Sequence, residues 1–228
     1  MHRSPNFDAR PSDTPIAMLV VHYTGMESAA AALERLCDPA SKVGAHYLIG
    51  EDGEVAALID EEMRAWHAGV SSWRGEGDVN GRSLGVELVN LGHEFGYRPF
   101  PEPQMAALEA LCLEILARHP IEARNVVGHS DVAPRRKTDP GELFDWPRLA
   151  GAGIGLWPFA AEPFAAGEDE VRSLLAAFGY ETEDLALTLA AFQRHFRPAL
   201  IDGVADAETA GILKALFQRI PANRNRRG

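Results

Sequence analysis

Two apolar runs of strand composition each end in a histidine: Ile16 to Val21 leads into His22 within VVHYTG, and Asn125 to Gly128 leads into His129 within VGHSDVAPRRKTDPG. Short runs rich in β-branched residues and bounded by turn formers read as strands. A sheet that places the two strand ends side by side also places the two imidazoles side by side. Asp139, on the loop beyond His129, supplies a carboxylate. Two neutral imidazole nitrogens and one carboxylate suit Zn2+, and three protein ligands leave a fourth tetrahedral position for water. An open position implies catalysis.

Further strand-like runs at His46 to Gly50, Val55 to Ile59 and Leu84 to Asn90 alternate with helical patterns at Glu27 to Cys37 and Pro103 to Arg118. Such alternation predicts an α/β (α+β) fold with a mixed central β-sheet flanked by helices. Met105, Leu108, Leu111, Cys112, Ile115 and Leu116 recur at spacings near three and four, so one face of the second helix lies on the sheet. Near residue 150 the pattern changes. Gly151, Gly153, Gly155, Pro158 and Pro163 interrupt any period, which predicts a linker over residues 151–167 after a catalytic domain at 1–150.

From 168 to 222 the periodicity is helical throughout, in the sets Val171, Leu174, Leu175, Phe178; Leu185, Leu189, Phe192, Phe196; and Ile212, Leu213, Leu216, Phe217. These predict a three-helix bundle. At about 60 residues it is marginal alone and is expected to dock on the larger domain. Residues 223–228 form a basic tail.

Composition excludes several function classes. Basic residues number 22 against 33 acidic ones, giving a net charge of −11, so a general nucleic-acid binder is not expected. No run approaches the ~18 apolar residues of a membrane span. MHRSPNFDARPSDTP has no apolar core of an export signal, and the expectation is a cytoplasmic monomer, with the periplasm or envelope as the alternative. Cys37 and Cys112 each fall inside a helical pattern and outside any CxxC spacing, which excludes a disulfide framework.

A zinc site ligated by an anionic aspartate acidifies water less than one with three histidines and benefits from a separate base. Glu87 in SLGVELVN is the one acid in an otherwise apolar run, placing it as that general base or acid. The alternative is a buried ion pair with Arg82 or Arg64. Lys137 lies two residues before Asp139, and in an extended loop both side chains project to the same side. Its ammonium is suited to an oxyanion, a kind of contact worth roughly 3 kcal/mol. Arg135 and Arg136 add positive potential there, so an anionic substrate is expected. His46, His67 and His93 are spare candidates for a different metal set, with His93 and His119 expected at the surface.

Five blocks in order, VVHYTGM, AHYLIGEDGEV, AWHAGVSSWRG, NGRSLGVELVN and VGHSDVAPRRKTDPGELFDW, resemble the zinc-dependent N-acetylmuramoyl-L-alanine amidase family, type 2, over roughly residues 4 to 149. The resemblance implies zinc ligands at His22, His129 and Asp139, a catalytic carboxylate at Glu87, and an intermediate-stabilising lysine at Lys137. It further implies a substrate groove lined by Trp66, His67, Ala68, Gly69 and Asn80, to which the basic rim adds Arg136. The implied reaction cleaves the amide between N-acetylmuramic acid and the L-alanine of a stem peptide. The preferred substrates are soluble muropeptides in the 1,6-anhydro form, met in cell-wall recycling; polymeric peptidoglycan in the envelope is the alternative. Non-catalytic recognition modules share this fold but typically lack the full ligand set, and a peptidase reading lacks HExxH. In the bundle, Phe192, Gln193, Asp202, Gly203, Asp206 and Thr209 resemble the DGxxxxxT turn of peptidoglycan-binding modules. A purely structural reading has Gly203 relieving the backbone and Asp206 capping the next helix.

Overall fold

The computed structural model describes residues 3–220, so the basic tail and the last two residues predicted for the bundle lie outside the described residues. In chain order its strands are β1 (Phe7–Ala9), β2 (Met18–Tyr23), β3 (Tyr47–Ile49), β4 (Val55–Ala57), β5 (Met63–Ala65), β6 (Ser83–Leu88) and β7 (Val126–Gly128). Its helices are α1 (Ala29–Cys37), α2 (Val79–Arg82), α3 (Gly92–Phe95), α4 (Glu102–Arg118), α5 (His129–Val132), α6 (Trp146–Gly151), α7 (Glu168–Phe178), α8 (Leu185–Phe196) and α9 (Ala207–Arg219).

The main sheet has the order β4-β3-β6-β2-β7, with β3, β6, β2 and β7 mutually parallel and β4 antiparallel at one edge. This is the expected mixed sheet flanked by helices. A second, two-stranded antiparallel ribbon pairs β1 with β5. The sequence pattern did not reveal it, because three-residue strands are too short to show a period.

Strand alternation sorts the core into two layers. Leu19 and Val21 of β2, Leu84, Val86 and Leu88 of β6, and Val126 of β7 face α4, where Met105, Leu108, Leu111, Cys112 and Ile115 meet them. Met18, Val20 and Val127 point to the opposite face and join Trp73 in a cluster with Val171, Leu175, Phe178, Leu189, Phe192, Leu213 and Leu216. The three C-terminal helices therefore share their core with the sheet, as expected of a bundle too small to enclose one of its own.

The segment predicted as a linker is more structured than a tether. Ile154 is fully buried on the α4 side, and Trp157 packs against both clusters. Gly203 takes a positive φ of 69° in the turn before α9. Asp206 caps α9 by accepting from the Thr209 amide at 2.8 Å. Buried Gln193 accepts from the amides of Asp202 and Gly203 at 3.0 and 2.8 Å and donates to Val204 O at 3.1 Å. The DGxxxxxT turn is thus held together by its own residues, in line with the structural reading.

Ending the chain at Ala160 would leave Met18, Val20, Trp73 and Val127 without their cover. Each large side chain so uncovered forfeits about 1.5–3 kcal/mol. The truncated protein is expected to melt at least about 10 °C lower or to aggregate, as read by circular dichroism during heating.

Candidate active site

Parallel pairing of β2 with β6 sets His22 directly beside Glu87, and pairing of β2 with β7 brings Gly128, the residue before His129, alongside Val21. All three functional side chains arrive at the carboxyl ends of parallel strands, the place where open α/β sheets form their crevices. Asp139 is returned to the same spot by a backbone bond from Ser130 N–H to its carbonyl at 2.9 Å. Tyr97 braces the loop beyond, donating to Pro140 O at 2.7 Å and accepting from the Leu143 amide at 3.0 Å. His22, His129 and Asp139 are all buried.

Their ligand atoms converge. His22 Nδ1 lies 3.0 Å from His129 Nδ1 and 3.0 Å from Asp139 Oδ2, and His129 Nδ1 lies 3.1 Å from the same carboxylate oxygen. The surrounding hydrogen bonds assign the tautomers. Ser83 Oγ donates to Val79 O at 2.6 Å and so accepts from His67 Nε2–H at 3.0 Å. His67 Nδ1 is then the acceptor for His22 Nε2–H at 3.0 Å, which leaves the His22 Nδ1 lone pair facing the centre. His129 Nε2–H donates to Ala68 O at 3.0 Å and frees its Nδ1 in the same way.

Burial together with nearby His129 lowers His22 to about 4, so it is neutral at pH 7. Burial alone would push Asp139 up, but His129 and His22 outweigh it and hold the carboxyl well below its usual range. With both outer nitrogens engaged, the two imidazole Nδ1 atoms and the Asp139 carboxylate oxygen face one another, a set of electron-pair donors suited to a cation among them. Zn2+ bonds of about 2.0–2.1 Å imply donor separations of roughly 3.3 Å, within a few tenths of an ångström of the triangle present. The residues fit a metal ion. Among the described residues these three form the one such group with all ligand atoms within 4.8 Å.

Glu87 is 8 % exposed, and its Oε2 is buried without a hydrogen-bond partner in the protein. Burial and the neighbouring Asp139 raise its pKa well above the usual value, with Lys137 opposing. Neither arginine considered for an ion pair reaches it: Arg82 pairs with Glu76, and Arg64 with Asp8 and Asp78. Lys137 lines the same groove of about 750 Å³ as Glu87 and the three ligand residues.

The groove also borders Trp66, His67, Ala68, Gly69, Asn80 and Arg136, yet these residues are used in different ways. His67, Ala68 and Asn80 are buried in its wall, where Asn80 Oδ1 accepts from the amides of His67 and Ala68 at 3.2 and 2.8 Å. Arg136 ties down the loop through the carbonyls of Ala68 and Val70. Trp66 lies beneath Lys42, whose ammonium is 5.8 Å from the ring. Arg35 and Lys42 line the groove too, and sequence reasoning missed both because no local motif marks them. Arg135 is not part of this rim: it binds Glu181 and Glu183 next to the bundle. Of the spare histidines, buried His46 accepts from the Gly85 amide and donates to Met63 O, a structural role. His119 is half-buried on Glu61 rather than at the surface.

Residues 12–142 match the family model described as N-acetylmuramoyl-L-alanine amidase. The chain belongs to that amidase family. N-acetylmuramoyl-L-alanine amidase AmiD of Escherichia coli (strain K12) is 38 % identical over 232 residues, covering 90 % of this chain and 83 % of AmiD. The solved complex of AmiD with the substrate anhydro-N-acetylmuramic acid-L-Ala-D-gamma-Glu-L-Lys matches with a TM-score of 0.82 at 37 % identity over 91 % of both chains. AmpDh3 from Pseudomonas aeruginosa, solved in complex with anhydromuramic pentapeptide, matches with a TM-score of 0.79 at 35 % identity over 93 % of this chain and 96 % of its own. Both likenesses extend nearly end to end and so include the C-terminal helices. Among the described residues no helix is long and apolar enough to cross a membrane.

The hydrogen-bond chain behind His22 generates a prediction. His67→Leu removes the acceptor that fixes the His22 tautomer, and zinc affinity measured by chelator competition is expected to fall about 10–100-fold. His67→Gln keeps an acceptor and a donor and is expected to recover most of that loss.

Proposed function

We propose that this amidase is a zinc hydrolase that cleaves the bond between 1,6-anhydro-N-acetylmuramic acid and the L-alanine of soluble stem peptides, as in cell-wall recycling. The observation that carries the reading is the convergence of His22, His129 and Asp139 beside an unpartnered Glu87. Support for the substrate comes from AmiD and AmpDh3, which match nearly the whole chain and whose structures hold anhydromuramyl peptides.

In this reading His22, His129 and Asp139 hold the ion. Bound there, Zn2+ supplies Lewis acidity that polarises a carbonyl and acidifies water. Glu87 accepts the proton of the attacking water on its free Oε2 and later delivers it to the departing alanine nitrogen, and a raised pKa suits a group that must do both at neutral pH. Lys137 presents its ammonium to the oxyanion of the tetrahedral intermediate. Water adds to the carbonyl, the carbon–nitrogen bond breaks, and the products are a carboxylate and a free amine, with no covalent enzyme intermediate.

The stem peptide carries carboxylates, and Arg35, Lys42, Arg136 and Lys137 bring four cations to a groove that also holds Glu87, Glu94 and Asp139, in a chain of net charge −11. Residues 1–150 form the catalytic part of this scheme, 151–167 the connection and 168–222 the bundle. The internal bonding of Gln193, Asp202 and Asp206 leaves those side chains committed to the fold, which supports a bundle that serves the catalytic part before any glycan.

Glu87→Gln is expected to retain zinc and lose at least about a hundredfold in turnover; a zinc-loaded variant working at near-normal rate would refute the role given to Glu87. The substrate class is tested by incubating zinc-loaded protein separately with a purified anhydromuramyl tripeptide and with intact sacculi, following released peptide by mass spectrometry. Cleavage of the soluble compound is expected. Efficient release from sacculi with the tripeptide left intact would replace this reading with an envelope hydrolase of polymeric peptidoglycan.

A further inference from the structure

Asp131 sits two residues after His129 and is fully buried. Its Oδ2 accepts from the Gly128 amide at 2.7 Å, fastening the start of α5 and so the backbone that presents His129. The remaining donors to this carboxylate come from the C-terminal helical region. Tyr180 OH donates to Oδ1 at 2.6 Å, and His195 Nδ1–H donates to Oδ2 at 2.7 Å. The neighbouring residue of the same turn, Ser130, holds the carbonyl of Asp139. One turn of chain thus carries one metal-ligand residue, grips the backbone of another, and is itself gripped from the bundle.

The donors are in turn rigidly seated. His195 stacks between Trp146 and Phe196, with ring centroids 3.8 Å away on each side and interplanar angles of 16° and 8°. Tyr180 packs edge-on against Trp73 at 5.0 Å and against Phe192 at 5.8 Å. Burial and Asp131 raise the Tyr180 phenol well above its usual pKa, so it remains a donor. A buried carboxylate deprived of such donors must find others or move, because leaving it unpaired is strongly unfavourable. The movement open to Asp131 is a shift of α5, and His129 shifts with it.

We propose that Tyr180 and His195 are positioning residues for the metal site: acting through Asp131, they fix the turn that carries His129 and anchors Asp139, so that the bundle sets metal affinity as well as stability. This rests on the reading of His22, His129 and Asp139 as the metal ligands.

The test is zinc affinity of the full-length protein by chelator competition, alongside melting curves, at a temperature where every variant is folded. Tyr180→Phe, which removes a single oxygen atom, and His195→Leu are each expected to weaken zinc binding by about tenfold or more. His195→Asn, which keeps a donor at the place of Nδ1, is expected to restore affinity to within about threefold of wild type. Leu216→Ala, elsewhere in the bundle core, should lower the melting temperature while leaving affinity within the same range. If Tyr180→Phe and His195→Leu change affinity no more than Leu216→Ala does, the positioning role is overturned and the bundle contributes stability alone. Should His195→Leu not fold, Tyr180→Phe decides by itself. A wild-type chain that binds no zinc removes the metal reading and this inference together, whereas wild-type binding with unaffected variants removes only the inference.

Discussion

The parallel pairing of β2 with β6 on one side and β7 on the other is the constraint from which the chemistry follows. A side chain alternates faces along a strand, so a one-residue slip would turn His22 into the α4 layer and bring Val21 to the crevice. The apolar positions prevent the slip. Leu19 and Val21 are matched to α4, Met18 and Val20 to Trp73 and the bundle, and the two layers together lock the register that sets His22 beside Glu87. Packing of ordinary core residues thereby fixes the geometry of polar ones.

Convergence of three electron-pair donors in a buried place is unfavourable for the bare protein, and the scaffold is built to hold them there. Each imidazole has its outer nitrogen tied back, His22 to His67 and His129 to the carbonyl of Ala68, so neither ring can turn to relieve the repulsion. Preorganisation of this kind places the unfavourable contact in the folded protein and lets a cation relieve it on arrival.

Much of this was legible in the sequence, for identifiable reasons. His22 and His129 stood at the ends of β-branched runs, and Glu87 was conspicuous as the one charge in an apolar strand. Long amphipathic elements such as α4 and α7 to α9 announced themselves by period. What escaped depends on contacts between distant segments. No local signal marks the β1–β5 ribbon, the roles of Arg35 and Lys42 in the groove, or the turning of Arg135 away from it toward Glu181 and Glu183. His67 was visible as a motif residue, but its place behind His22 follows only once β6 lies under the loop that carries it. The glycines, prolines and alanines after Gly151 looked like a tether because composition does not reveal that Ile154 and Trp157 find the core.

One face of β6 has a consequence for how such a chain can vary. Its alternate positions Ser83, Gly85 and Glu87 run in a line: the first holds His67, the second leaves room for its ring, and the third faces the reacting groups. A methyl group on Gly85 would lie 2.4 Å from the His67 ring, so the smallest side chain larger than hydrogen already collides. The intervening positions, Leu84, Val86 and Leu88, can be exchanged for other apolar residues of similar volume. Within a single strand, one set of alternate codons is therefore free to drift with the core while the other is frozen, and descendants of this sequence should diverge in a two-residue rhythm along β6.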